Sequence, residues 1–558
     1  MKTSNYEEGE KKMKKRIISL LMVVAMLCGL FAGCGKNEKK RGDGVLTVGM
    51  PQVMSVTDYD DNYLTKYLEK KIGADIEFIY FNDSSAAMEQ QLSLMCASEE
   101  ALPDVLWGFQ DVDRDTMIVY GEDEYLIDLT DLIDKYGTNY KEMLKKLPKE
   151  TRERVDKLCV NPNDGAMYGM PMISDESMDD LQIMSYINKK WLDKLGLQVP
   201  TTTDELYNVL KAFKANDPNG NGENDEIPIV GTQNGIASEG TVTEYLINAF
   251  IEYDKSTIFN VKNGKVWSPV ATPEWREALK YMSKLVSEGL MSDLSFTLDS
   301  HNEYISTVIG NDDIPRVGIF VGHPAAFTSS DTTALSEYVA LPALKDATGS
   351  GKGGLTMTKK PTVRLSTFIT ADCEDTELAM KFLDAMYDEE TAAIMRNGEE
   401  GVDWERAEGK NYLGTDCVVK VINANAYFEG NSTWGRLGGI FGDNKYCTTI
   451  MDGSLEEGIV KDTNRLYQES YQIKKDAEKA GNVPKETARE LLYTDEEREV
   501  ITDYFGTYKS FVKQFIATSA SGSKDINDDA VWNAYVAELE TYEESKLMKI
   551  TQEALDRK

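Results

Sequence analysis

The sequence predicts an α/β fold of doubly wound sheets with flanking helices and a helical C-terminal region. Three observations predict it. Short apolar runs alternate with amphipathic helical runs between residues 45 and 108; a second series of such runs extends from 168 to 395; and roughly the last hundred residues are helical and charged. Alternation of strand and helix marks parallel sheets, because parallel neighbours need a crossover long enough to hold a helix.

Taken in order, "VLTVGM" (45–50) is a short apolar strand. "YLTKYLEKKIG" (63–73) places Leu64, Tyr67, Leu68 and Ile72 on one helical face and stops at Gly73. "DIEFIYF" (75–81) alternates as a strand does, "AAMEQQLSLMCASEE" (86–100) is helical, and "DVLWG" (104–108) is the third strand. Ligands of such sheets bind beyond the carboxyl ends of the strands. Those ends lead here into "PQVMSVTDY" (51–59) and "WGFQD" (107–111), which makes Tyr59 and Trp107 candidate binding residues. Further on, "TTTDELYNVLKAFKAN" carries a capping box, Thr202 with Glu205, and a core stripe of Leu206, Val209, Leu210 and Phe213. "EWREALKYMSKLVSEG" (274–289) has the same kind of stripe. "RVGIFVGHPAAF" (316–327) reads as a strand and a helix start, "STFITAD" (366–372) as a strand, and "TELAMKFLDAMYDEETAAIM" (376–395) as one amphipathic helix.

The charge balance over 558 residues is −34, from 61 basic and 95 acidic side chains. So acidic a chain repels phosphate backbones, which excludes nucleic acid as a partner. The N-terminus reads as an export signal: "MKKR" (13–16), then the uncharged "IISLLMVVAMLCGLFAG" (17–33), then Cys34. "LFAGCG" resembles a bacterial lipobox, with Phe31 where Leu is usual, so Cys34 is the expected lipidation site and 35–44 a flexible tether. The five remaining mature cysteines are widely spaced and form no CxxC or zinc pattern, as buried apolar residues would.

One local motif stands out. "DPNGNGENDEIP" (217–228) has the spacing of an EF-hand calcium loop, with Asp217, Asn219, Asn221, Glu223 and Asp225 at alternate positions and Gly222 at the turn. Its twelfth position is Pro228 instead of Glu, but Glu226 follows Asp225 directly. Hard oxygen donors without His or Cys suit calcium. "IPIVG" (227–231) leaves the loop as a strand, so the loop lacks the second helix of a sensor and would brace its surroundings. No catalytic constellation is visible. The histidines are His301 and His323, and neither HExxH, GxSxG, GxxxxGK[ST] nor a strand-borne GxGxxG occurs. The expectation is a protein that is not an enzyme.

The run "NKKWLDKLGLQVPTTTDELYNVLKAFKANDPNGNGENDEIP" resembles the family 1 extracellular solute-binding proteins of ABC importers, above all their oligosaccharide-binding lipoproteins of the alginate-oligosaccharide type. "LKYMSKLVSEGLM" (279–291), "YVALPALKDATG" (338–349), "FITADCEDTELAMKFLDAMYDEE" (368–390) and "GEEGVDWE" (398–405) extend the resemblance in family order. It implies a two-lobed, periplasmic-binding-protein-like (type II) fold that closes on ligand at a hinge. Lobe one would take about 45–170 and 340–400, and lobe two about 171–339 and 401–558. It implies a lipid-anchored protein on the outer face of the bacterial membrane, a monomer, delivering an oligosaccharide to importer permease subunits. An exported glycan-active enzyme and a lipoprotein for a peptide or other non-sugar ligand are the alternatives. Aromatic rings stack on pyranose faces. Trp404 and His323 sit where relatives carry cleft aromatics, Trp434 lies in a polar, glycine-flanked loop, and Arg364 is a candidate for sugar hydroxyls. Trp107 and Trp404, from opposite lobes, would sandwich sugar rings. Carried over from the alginate binders, calcium would be held by the side chains of Asp217, Asn219, Asn221, Asp225 and Glu226 and by the carbonyl of Glu223. Asn188 stands where relatives often carry Arg.

Overall fold

In the computed structural model the described residues are 44–557, apart from 54–55, 99, 177–179, 234–239, 299–303, 305–313, 325–332, 348–352, 424–425, 427–429, 438–440 and 452–458. The export signal and Cys34 lie outside them.

The strands are β1 Val45–Pro51, β2 Asp75–Phe81, β3 Val105–Leu106, β4 Met170–Ser174, β5 Ser185–Asn188, β6 Ile227–Val230, β7 Asn260–Lys262, β8 Lys265–Trp267, β9 Val317–Val321, β10 Tyr338–Ala340, β11 Val363–Ile369, β12 Trp404–Lys410, β13 Asp416–Val421 and β14 Phe441–Gly442. They build a six-stranded sheet in the order β14-β4-β11-β3-β1-β2 and a four-stranded sheet in the order β10-β5-β9-β6, besides the hairpins β7–β8 and β12–β13. The βαβαβ start is as read. β1 and β3 run parallel, Val48 opposite Val105, and both are almost wholly buried, as strands covered on two faces are. β11 is antiparallel to β3 and to β4, so the first sheet is mixed. In the second, β6 and β9 are parallel, and β5 is antiparallel to β9 and to β10.

Local chemistry sets the helix ends. Asn62 caps Tyr63–Ile72 by accepting from the Leu64 N–H, and Gly73 closes it at φ 76°, where a Cβ would be strained. The Thr202–Glu205 capping box opens Thr203–Ala215, whose Leu206, Val209, Leu210 and Phe213 are buried. The single helix expected over 376–395 is two, Thr376–Ala385 and Glu389–Asn397. Asp388 divides them: its carboxylate accepts from the Thr391 N–H as an N-cap and from Lys71 Nζ at 2.8 Å.

The sheets carry separate cores. The first gathers residues of 46–173 with 363–395, and also Trp434, Leu437 and Phe441. The second gathers residues of 187–344 with the C-terminal helices through Tyr508, Phe511, Val512 and Phe515. A smaller core under the helix Ile459–Ala480 covers the other part of the second sheet through Tyr186, Phe320 and Leu466. Within 401–442, which the sequence reading puts in the second lobe, Trp434, Leu437 and Phe441 join the first core. β14 pairs in parallel with the otherwise open edge of β4, and Trp404, Cys417 and Val419 close over Ala393. The chain leaves the first sheet after β4, returns between β10 and β11, and leaves again after β14.

Candidate functional site

The three tryptophans expected to face a ligand are enclosed. Trp107, Trp404 and Trp434 are each 0% exposed. The Trp107 indole donates to the Leu437 carbonyl at 3.1 Å and meets Trp434 edge-on at 5.6 Å. Trp434 donates to Thr65 Oγ1 at 2.9 Å and meets Phe78 edge-on. Trp404 donates to the Gly398 carbonyl at 2.9 Å. With both faces covered and each N–H satisfied inside the protein, none offers a surface to a sugar, and Trp107 and Trp404 do not form a sandwich. Tyr59, at 3% exposure, is also core; its hydroxyl accepts from the Val53 N–H, and its ring lies 5.6 Å from the exposed Tyr80. Asn188, buried, caps the helix Lys189–Leu195 and donates to Glu337 at 3.0 Å.

His323 and Arg364 are accessible. His323 follows β9 and is half-buried, with Nε2 3.1 Å from the Tyr467 hydroxyl. Tyr467, on the helix Ile459–Ala480, lies 5.6 Å from Tyr412 at the tip of the β12–β13 hairpin. Both tyrosines are half-buried. Sequence reading named His323 but missed Tyr412 and Tyr467, because the three come from segments about 50 to 150 residues apart and neither tyrosine carries a local motif. Arg364, near the start of β11, is 49% exposed and donates from Nη1 to Asp111 at 3.2 Å.

Arg364 and Asp111 line a cavity of about 950 Å³ between the first and second cores, with Glu252, Asp254 and Phe259 on the far side and Arg489 across it. Its charges are largely matched. Burial pushes the Asp254 carboxyl up, but Arg489 Nε at 2.7 Å holds it below its ordinary range. Burial likewise opposes ionisation of Glu176, and Lys474 and Lys475 overcome it. Glu252 has no such ion pair among the described residues; burial raises it to about 7, with Lys262 opposing. Buried Glu244, bonded to Gln182 Nε2 at 3.2 Å, is also raised by burial to about 7. No histidine or cysteine is among the described lining residues. The surface offers fixed donors and acceptors of the kind that bind hydroxyl-rich ligands.

The 217–226 loop winds around Asp217. Its carboxylate accepts from the N–H groups of Gly220 (2.6 Å), Asn221 (3.1 Å) and Gly222 (3.0 Å). Gly220 and Gly222 take φ 81° and 82°, which their lack of a side chain permits. The amides of Asn219 and Asn221 both donate to Asp225 Oδ1, at 3.0 and 3.1 Å, and the Glu223 N–H donates to Asn221 Oδ1. Glu226 Oε1 is buried with no hydrogen-bond partner, and burial, then Asp225 and Asp217, push its carboxyl up. Among the described residues no three Asp, Glu, His or Cys groups form a ready-made metal cage. The donors fit a hard cation as a mixed set, in which the amide oxygens, exchangeable with their nitrogens by a flip, complete the carboxylates.

The family described as Bacterial extracellular solute-binding protein matches residues 55–393. Fructooligosaccharide ABC transporter substrate-binding protein FusA of Streptococcus pneumoniae is 32% identical over 364 residues, 63% of this chain and 62% of that protein. The match thus spans less than two thirds of this relative's length. Among solved structures, an HMO-binding ABC-transporter-associated solute-binding protein from Bifidobacterium longum infantis superposes with a TM-score of 0.74 at 22% identity, covering 92% of this chain and 99% of that one. An EF-hand mutant of S. pneumoniae FusA in complex with fructo-nystose superposes with a TM-score of 0.70 at 23% identity, again over 92% and 99%. These likenesses establish the fold: α/β, two lobes, type II.

The enclosed indoles set one expectation. Removing a buried tryptophan costs about 3–5 kcal/mol. Trp434→Ala should therefore lower the denaturant midpoint without changing the slope. Wild-type stability combined with lost ligand affinity would show that the ring faces ligand after all.

Proposed function

The chain belongs to the bacterial extracellular solute-binding protein family, and from that premise we propose that it captures an oligosaccharide between its lobes and delivers it to the permease subunits of an ABC importer. The observation that carries this reading is the cavity flanked by both cores, with half-exposed Asp111 and Arg364 on one side and acidic groups on the other. The His323–Tyr467–Tyr412 cluster supplies partly exposed rings for sugar faces. The carbohydrates named with the relatives, a fructooligosaccharide and fructo-nystose, support the same class. The core memberships support lobe one as about 45–174 with 363–450 and lobe two as about 182–344 with 459–557.

Charge-assisted hydrogen bonds contribute about 1.5–3 kcal/mol each, or roughly 10- to 150-fold in affinity. Once a thermal-shift screen of a glycan panel has identified a ligand, calorimetry on Arg364→Ala and Asp111→Ala should show losses of that order, with no turnover of the sugar. If peptides shift the melting curve and glycans do not, the ligand class is wrong. If a glycan is hydrolysed, the protein is an enzyme.

The 217–226 loop holds a bracing calcium ion in this reading, supported by the orphaned Glu226 oxygen and the all-oxygen donor set. With a dissociation constant of about 0.1 mM and about 1 mM calcium outside the cell, linkage gives roughly 1.4 kcal/mol of stability. Chelation should lower the melting temperature, and Asp217→Ala with Asp225→Ala should abolish that response. A chelator-insensitive melting curve in metal-loaded protein would remove the ion from the account.

Anchoring is the last element. The apolar run before Cys34 and the lipobox-like "LFAGCG" support a lipid anchor on that residue. A single acyl chain binds membranes only marginally, so a diacylglycerol is needed. Cys34→Ala should leave the protein unlipidated by intact mass and reduce its membrane-bound fraction; retention at the wild-type level would rule the anchor out.

A further inference from the structure

Between the helices Ile459–Ala480 and Asp495–Val500 the chain runs without regular structure, and it touches both cores in quick succession. The Asn482 carbonyl accepts from the Thr356 N–H, on the stretch returning from β10 to β11. The Glu486 carboxylate takes both N–H groups of the β7–β8 turn, from Asn263 at 2.5 Å and Gly264 at 2.9 Å. Arg489 grips the second-core side, with Asp254 at 2.7 Å and Gln182 Oε1 at 2.8 Å. The next residue grips the other side. Glu490 receives a two-pronged contact from Arg154, at 3.1 Å from Nε and with a further bond from Nη2, and its carbonyl accepts from Lys157 Nζ at 3.0 Å. Arg154 and Lys157 belong to the helix Lys149–Cys159, which packs on β11. Eight residues on, Arg498 reaches Asp115 at 2.9 Å, again on the first-core side.

The switch of sides occupies one peptide bond, and the backbone there is unusual. Glu490 has φ 54°, a left-handed conformation that a non-glycine residue keeps only where its surroundings enforce it. Arg154 is 8% exposed in its side chain and also donates to the Pro361 carbonyl at 2.8 Å, so it is fixed independently of Glu490. Two anchored partners, one on each core, thus dictate the conformation of the residue between them.

We propose that residues 482–498 are an interlobe clasp: the Arg489–Asp254 and Glu490–Arg154 pairs hold the two lobes in their present arrangement, and the lobes separate only when one pair lets go. The clasp restrains the lobes in addition to the three chain crossings. It closes one wall of the cavity, so ligand entry and clasp release would be coupled. The inference goes beyond the binding reading and holds whatever the ligand is.

Small-angle X-ray scattering of the ligand-free protein tests it, with two variants. Glu490→Gln weakens the pairing. Arg154→Met with Glu490→Gln removes both charges and leaves no buried cation unpaired. Each variant should show a larger radius of gyration than the wild type, while circular dichroism and cooperative unfolding persist. A radius unchanged in both would overturn the clasp. Loss of cooperative folding in both would also overturn it, since the segment would then be part of the fold and not a releasable restraint.

Discussion

The junction between the two sheets depends on buried cations that must keep their anions. Arg154, Lys474 and Arg489 are 8%, 5% and 19% exposed in their side chains. A cation so placed is costly unless paired and hydrogen-bonded. Each finds its anion on a distant segment: Arg154 on Glu490, Lys474 on Glu176 and Asp180, Arg489 on Asp254. The chain's route follows from this. The chain passes from one sheet to the other between β4 and β5, between β10 and β11 and after β14, and the helix Ile459–Ala480 and the stretch after it complete the pairings. The cavity is what remains between groups held at these fixed separations.

Much of the fold was legible because its signals are local. The first and third strands are buried on both faces and read as short apolar runs, the second alternates as a half-exposed strand does, and the capping box at Thr202 announces its helix within four residues. The calcium-like loop was legible for the same reason: its oxygens fall within ten residues, from Asp217 to Glu226, and its shape depends on Gly220 and Gly222 and on bonds inside the loop. The break at Asp388 was also signalled, by a cap residue followed by two acidic residues, but the apolar stripe continues across it and periodicity alone reads through.

The candidate binding residues were less legible, for a physical reason. A tryptophan at a strand's carboxyl end is placed for a cleft by topology, but its ring goes wherever apolar volume is available. Trp107 folds back under Leu437 and against Trp434, because Trp434, Leu437 and β14 return to the first sheet from more than 320 positions away. That return, made through β14 on the edge of β4, has no local signature. It assigned Trp434 to a core and took Trp107 out of the cleft. Of the groups left accessible, Arg364 and His323 are candidates from the sequence, whereas Asp111 and Tyr467 look there like ordinary surface residues.

Ion pairs in the lining of such a cavity bear on which sugars it suits. Arg364 uses one of its five N–H donors on Asp111, and the carboxylate keeps free lone pairs. A neutral hydroxyl can add to both without breaking the pair, and the charged partners strengthen each added bond. An anionic ligand would instead compete with Asp111 for the guanidinium and approach a chain of net charge −34. Asn188, at a position where family resemblance suggested Arg, supplies no compensating charge, for it is buried and spends its amide on Glu337 and its oxygen on a helix cap. Within the binding reading, these constraints favour an uncharged oligosaccharide over an acidic one.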